Sequence, residues 1–136
     1  MPTLAPRPRW LWLPVAAWAA AIFAASSVSH VPELPAHVTD KMVHATIYGV
    51  LGAACLRALA GGRWSGVSFG VAAASVLAAT AYGATDEFHQ WFVPGRTADV
   101  FDLLADFTGS ASAAAVILAF SWVRRRFQKT PGPHFG

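Results

Sequence analysis

The sequence predicts an all-α membrane protein: a compact, polytopic bundle of four transmembrane helices with its N- and C-termini cytoplasmic. Three observations carry this. The 136 residues are 55% hydrophobic and only 12% charged, with a mean hydropathy of +0.45, whereas a soluble domain averages about 25% charged residues. The apolar residues gather in four runs, 10–28, 42–60, 65–85 and 103–123. Each is near the roughly 20 residues that carry a helix across about 30 Å of hydrocarbon. Of the nine prolines only Pro14 falls inside a run, close to its start, where a missing N–H strands no helix carbonyl.

The first run follows Arg7 and Arg9 and ends near Ala24-Ala25-Ser26. Basic flank, apolar stretch and small residues also fit a secretory signal peptide. The length of the run and Pro14 favour a retained helix, and cleavage would leave three helices in the same orientation. The second run contains the single cysteine, Cys55, which has no internal disulfide partner and no metal-ligand spacing. It reads as a small packing residue. The third and fourth runs are rich in Ala, Ser and Gly. Gly66 and Gly70 are four apart, as are Ala105, Gly109 and Ala113, so small faces are expected to let helices approach closely. The length allows one domain, 1–136.

Charge orients the bundle. With alternating helices, Arg7, Arg9, Arg57, Arg63, Arg124, Arg125, Arg126 and Lys129 lie on one side, and only Lys41 and Arg96 on the other. The positive-inside rule makes the first side cytoplasmic. Trp10, Trp12, Trp64, Trp91 and Trp122 fall at the expected interfaces. Topology and contact with anionic lipid account for the basic C-terminal cluster, so nucleic-acid binding is not expected.

The acids carry the functional signal. Glu33, Asp40, Asp86, Glu87, Asp99, Asp102 and Asp106, all seven in the chain, fall in the two outer loops or the adjoining helix ends. Acids contribute little to topology, so topology does not demand this. At about 100° per residue, Asp40, His44 and Tyr48 share one stripe of helix 2, and Asp86, Glu87 and Gln90 share one face of helix 3. Asp99, Asp102 and Asp106 fall within about 60° at the start of helix 4. The helix dipole accounts for Asp99 and Asp102 but not for the deeper Asp106. Ionisable groups inside a membrane are costly and normally face a protein interior or a wet cavity. Lys41 and Arg96 are the expected partners of the surplus carboxylates, and Pro94-Gly95 reads as a turn. A polar pocket opening outward is expected, roofed by the Gln90–Asp102 loop and floored by His44 and Asp106.

The pattern Asp40-Lys41-x-x-His44-x-x-x-Tyr48, then Asp86-Glu87-x-His89-Gln90-x-x-Val93-Pro94-Gly95-Arg96, then Asp102 and Gly109, resembles the VanZ-like family over roughly residues 39–115. Its members are small membrane proteins, named for a protein associated with resistance to the glycopeptide teicoplanin. The resemblance implies a cell-envelope role and supplies no mechanism. The family pattern usually has Asn where this chain has Asp106.

Three classes of function follow. In the first, the pocket binds a cell-envelope lipid, a lipid-linked envelope precursor or a glycopeptide antibiotic, without chemistry. Lys41 and Arg96 would then meet phosphate or carboxylate, and the acids would meet sugar hydroxyls or amines. In the second, it is a membrane enzyme acting on an envelope lipid. His44 would be a general base oriented by Asp40, Asp86 or Glu87 an acid or nucleophile, and Arg96 an anion stabiliser. In the third, Asp106, His44 and Glu87 relay protons or ions in a small transporter, which four helices would manage only as an oligomer. The first class is favoured, with membrane lipids as partners and a multi-pass location in a bacterial-type cytoplasmic membrane. No cofactor and no metal are expected, since His44 and His89 lie on different helices without a recognised ligand pattern. His30, His37 and His134 are loop or tail residues without an evident partner.

Overall fold

The structure, a computed structural model, describes residues 8–29 and 35–128. Arg7, His30, Glu33, Lys129 and His134 lie outside the described residues. Among the described residues the fold is all-helical: α1 (Leu13–Ser26), α2 (Asp40–Leu59), α3 (Phe69–Gln90) and α4 (Val100–Gln128). By length and composition three segments suffice to cross a membrane, Arg9–Ser26, Asp40–Leu59 and Val100–Gln128. At 22 residues α3 is long enough, but it is diluted by small and hydroxyl side chains and ends on Asp86, Glu87 and Gln90.

The helix ends differ from the apolar runs for identifiable reasons. Pro14 sits in the first turn of α1, and the chain ahead of it winds as a turn of 3-10 helix, Arg9–Trp12. Thr39 caps α2 by accepting from the Met42 N–H, so the helix begins at Asp40 rather than at 42. Ser68 caps α3 by accepting from the Val71 N–H. The expected start at 65 is instead a second 3-10 turn, Trp64–Gly66. Such side-chain caps satisfy N–H groups that the first turn leaves unpaired. At the other end α3 runs on through Gln90, because its last polar residues are buried against other helices rather than released to a loop. The 93–96 turn closes with an Arg96 N–H to Val93 carbonyl bond of 3.1 Å and Gly95 at φ 80, the backbone that a Pro-Gly pair provides in a type II turn.

Packing is led by α2 against α4. A Cβ built on Gly109 would run into the Ala45 backbone, and one on Gly52 would lie 2.8 Å from the Ser110 Cβ. The close approach therefore belongs to Ala45, Gly49 and Gly52 of α2 facing Gly109 and Ser110 of α4. The Gly66/Gly70 pair does not bring two helices together: Gly66, in the 3-10 turn, packs closely on the Ala60 backbone that ends α2, and Gly70 has nothing within 4 Å. The smaller contact of α1 is secured by the Trp18 indole donating to the Ile47 carbonyl (2.9 Å) and by the Tyr82 hydroxyl donating to the Ala19 carbonyl (2.6 Å).

Polarity is distributed inside out. Asp106, Ser75, Ser110 and Ser121 are fully buried, whereas Phe69, Leu77, Val116 and Phe127 are more than two-thirds exposed. In water such an apolar exterior would be a liability. Toward lipid it is the expected surface, with polar side chains turned onto neighbouring helices.

Candidate functional site

The acidic end of the bundle is built where α2 and α4 begin and α3 ends. Asp99 immediately precedes α4 and caps it, its Oδ1 accepting from the Phe101 N–H at 2.8 Å. Its other oxygen meets Lys41, whose ammonium donates to Asp99 Oδ2 and to Asp102 Oδ1, both at 2.6 Å. The Lys41 ammonium and the Phe101 N–H hold the Asp99 carboxyl below the ordinary aspartate range. One cation thus bridges two acids a turn apart on α4 and ties the start of α2 to them.

One turn deeper, the His44 ring enters the bundle and its Nδ1 lies 2.9 Å from Asp106 Oδ1. The Asp106 side chain is fully buried and that of His44 nearly so. Space for it comes from Gly83 on α3, where a Cβ would crowd the Asp106 carboxylate and the Tyr48 ring. The Tyr48 ring stacks one turn below His44, centroids 6.1 Å apart and planes 7° from parallel. Exposure therefore falls steadily down the α2 stripe, from exposed Asp40 to largely buried His44 to fully buried Tyr48. Orientation of His44 by Asp40 gives way here to orientation by Asp106, from the facing helix.

The residues of α3 complete the cluster. Glu87 Oε2 accepts from the Asp99 N–H at 2.9 Å, fastening the end of α3 to the start of α4. Asp86 turns toward α1 and α3: it accepts from the Ser26 hydroxyl (2.6 Å) and from Gln90 Nε2 (3.1 Å). The remaining oxygens matter most. Tyr48 Oη, Glu87 Oε1 and Asp106 Oδ2 are buried and have no hydrogen-bond partner among the described residues. They come from α2, α3 and α4, and the Asp106 carboxylate and the Tyr48 ring meet at Gly83. Thr80 Oγ1, further along α3, is likewise unpartnered.

Arg96 does something other than the sequence suggested. Its Nε donates to the Val28 carbonyl (3.0 Å) and its Nη2 to the Ala25 carbonyl (2.7 Å). These are carbonyls at the C-terminal end of α1, which need external donors and favour a cation. Arg96 is thus a helix cap, and Lys41 alone is paired with the carboxylates. Three partners were missed by sequence reading. Ser26 holds Asp86, Gly83 makes room for Asp106, and His89 packs on Phe23 with Nε2 at 3.0 Å from the Ser27 hydroxyl. Ser26 and Ser27 sit in an otherwise apolar run, which was the available signal.

Asp40, His44 and Asp102 each bring one ligand-capable atom within 4.8 Å of the others. Asp40 is exposed and Asp102 is already engaged by Lys41, so a metal ion there would compete with an ammonium in place. A cavity of about 500 Å³, mainly apolar, lies at the opposite end of the bundle, beside Arg57, Arg63 and Trp64.

No curated protein and no solved structure matches this chain. A family model described as VanZ/LLP1 matches residues 7–122. With most of its length matched, and with helices long and apolar enough to cross a membrane, the chain is an integral membrane protein that belongs to the VanZ/LLP1 family.

Proposed function

We propose that the protein is a multi-pass protein of a bacterial-type cytoplasmic membrane whose acidic end faces outward and binds a hydrogen-bond-donating group of a cell-envelope molecule. That group is a hydroxyl or ammonium on a lipid head, a lipid-linked precursor or a glycopeptide such as teicoplanin. Three buried atoms without partners, Tyr48 Oη, Glu87 Oε1 and Asp106 Oδ2, carry this reading. Two are acceptors on carboxylates, and an unpaired buried acceptor costs about 1–3 kcal/mol, more when charged. A native structure retains such groups where a ligand or an ordered water meets them.

The charge balance favours the same chemistry. Six described acids (Asp40, Asp86, Glu87, Asp99, Asp102, Asp106) face Lys41 and His44, while Arg96 is occupied by carbonyls of α1. Recognition of a ligand phosphate through Arg96 and Lys41 loses its support, and recognition of donors gains it. An incoming ammonium would take over from Lys41 at Asp102, opening the way to the buried acceptors. The outward orientation rests on the cations: Arg9, Arg57, Arg63 and Arg124–Arg126 all lie at the other end, which the positive-inside rule assigns to the cytoplasm.

The test is retention of ligand by purified protein, read by native mass spectrometry with candidate envelope lipids and teicoplanin. Binding that falls at least tenfold in both Glu87→Gln and Asp106→Asn, with folding intact, supports the reading. Binding unchanged in both variants removes it. A second reading, acid–base chemistry on the bound lipid, is favoured by the 2.9 Å contact that orients His44 from Asp106 and leaves Nε2 available as a base. Turnover of the retained lipid, lost in His44→Gln, would select it.

A further inference from the structure

The apolar cavity at the basic end has no part in the acidic site and has its own charge environment. Its walls are Pro14, Val50, Ala53, Ala54, Leu56 and Ile117, from α1, α2 and α4, and its rim carries Arg57, Arg63 and Trp64. The volume of about 500 Å³ falls within the range of ligand pockets. Around the rim the guanidinium of Arg57 stacks over Trp10 at 5.4 Å, and that of Arg124 lies 5.9 Å from the Trp64 ring. The Arg63 guanidinium makes no hydrogen bond or ion pair among the described residues, while its backbone is engaged in the turn. Every described acid lies at the other end of the bundle, so no carboxylate competes for these cations.

We infer that this groove is a binding site for one anionic phospholipid, with an acyl chain along the apolar wall and the phosphate between Arg57 and Arg63. Three features select that occupant over a second protein helix or a zwitterionic lipid. The rim is cationic and uncompensated. The indoles of Trp10 and Trp64 stand beside the arginines, the arrangement that marks a headgroup level. The walls are aliphatic and small, leaving a recess for a flexible chain. Basic recesses between membrane helices on the cytoplasmic side bind anionic head groups on this principle.

The experiment uses the full chain purified in detergent, incubated with equimolar phosphatidylglycerol and phosphatidylcholine and examined by native mass spectrometry. Phosphatidylcholine carries the same phosphate with its charge cancelled by the choline ammonium; each arginine favours a net negative head group by about fivefold, so phosphatidylglycerol is expected to be retained by about twenty-five-fold over phosphatidylcholine. Arg57→Gln/Arg63→Gln should abolish that preference while an unchanged thermal midpoint reports intact folding. Arg57→Lys/Arg63→Lys should keep most of it, and Ala53→Phe, which fills the recess, should reduce retention of both lipids. Equal retention of the two lipids by the wild type overturns the inference. So does a preference that survives in the double glutamine variant, or retention unaffected by Ala53→Phe, since either means that lipid sits elsewhere. Excess inorganic phosphate that displaces the lipid completely would assign a free-anion site in place of a lipid site.

Discussion

Gly109 couples the packing of the bundle to its acidic site, and Gly109→Ala is the sharpest probe of that coupling. A Cβ at this position would lie 2.6 Å from the Ala45 carbonyl carbon and 2.7 Å from the Ala45 Cα, and closer still to its carbonyl oxygen. Carbon contacts relax near 3.5–4.0 Å, so α2 and α4 must part locally by about 1 Å. Backbone cannot swing aside as a side chain would, and overpacking of this kind costs about 1–3 kcal/mol. Ala45 adjoins His44, and Gly109 lies one turn beyond Asp106. The 2.9 Å His44–Asp106 contact would therefore stretch past hydrogen-bond range. Exposing a buried carboxylate to that loss places the total near the upper limit, about 3 kcal/mol. Reversible unfolding in mixed micelles measures it, with Gly70→Ala as the control. Gly70 has nothing within 4 Å, and alanine there should be neutral or stabilising by up to about 1 kcal/mol. If Gly109→Ala and Gly70→Ala unfold alike, the close α2–α4 approach described here is wrong.

Four further outcomes are expected. Lys41→Gln leaves the nearly buried Asp102 carboxylate uncompensated and should cost about 1–3 kcal/mol, between the exposed-pair and buried-pair limits; adding Asp102→Asn should recover at least half, and strict additivity in that cycle would deny the pairing. Arg96→Gln should cost about 1 kcal/mol, with Arg96→Lys little better because two carbonyls need a forked donor, while ligand binding is retained; loss of binding without loss of stability would return Arg96 to the site. The Asp99 carboxyl is held low by Lys41 and the Phe101 N–H, so its contribution is present at neutral pH and is lost as pH falls from about 4 through its lowered folded value; Asp99→Asn should flatten that acid limb of the stability profile, and an unchanged limb would assign it to another group. Cysteines at Ala36 and Thr97 should react with an impermeant thiol reagent in intact cells and one at Ser65 should not; the reverse pattern would invert the orientation and turn the acidic site inward.

The fold was legible because lipid imposes a single coarse rule, that about 20 apolar residues make a crossing helix, and all four helices were found from it. Their ends were less legible. Thr39 and Ser68 are ordinary polar residues to a hydropathy reading, yet each caps a helix. The three stripes of the candidate site could be drawn from a 100° period because His44, Glu87 and Asp106 sit on regular helix. Which stripe each residue would pair with could not, since that depends on helix rotation and on close approach. The clearest case is Arg96. A cation among carboxylates looks like their partner in a sequence, but the 93–96 turn aims it at the open carbonyls of α1 instead. Gly83 was overlooked for a related reason: its contribution is the volume that it leaves to Asp106, and absent atoms carry no pattern.

Asp106 joins the packing of the bundle to its acidic end, buried between His44 on α2 and Gly83 on α3. The resemblance drawn from the sequence implies Asn here, and an amide oxygen would accept from His44 Nδ1 as the carboxylate Oδ1 does. At the second position the two differ in sign: Asn would offer a donor where Asp106 Oδ2 offers an acceptor. The neighbourhood of that atom is Gly83 and the Tyr48 ring; the Tyr48 hydroxyl is a donor but makes no bond to it, and Oδ2 has no partner among the described residues. A protein-only account of the site therefore leaves a carboxylate oxygen buried at a cost that an amide would not remove but would reverse in kind. On the proposed reading a donating group meets this oxygen, and the unpaired Glu87 Oε1 on α3 would accept from the same molecule. For the ligand proposed above, two acceptors on different helices, beneath a lysine that bridges two more carboxylates, call for several donors close together. Sugar hydroxyls and amines have that character, and a phosphate does not.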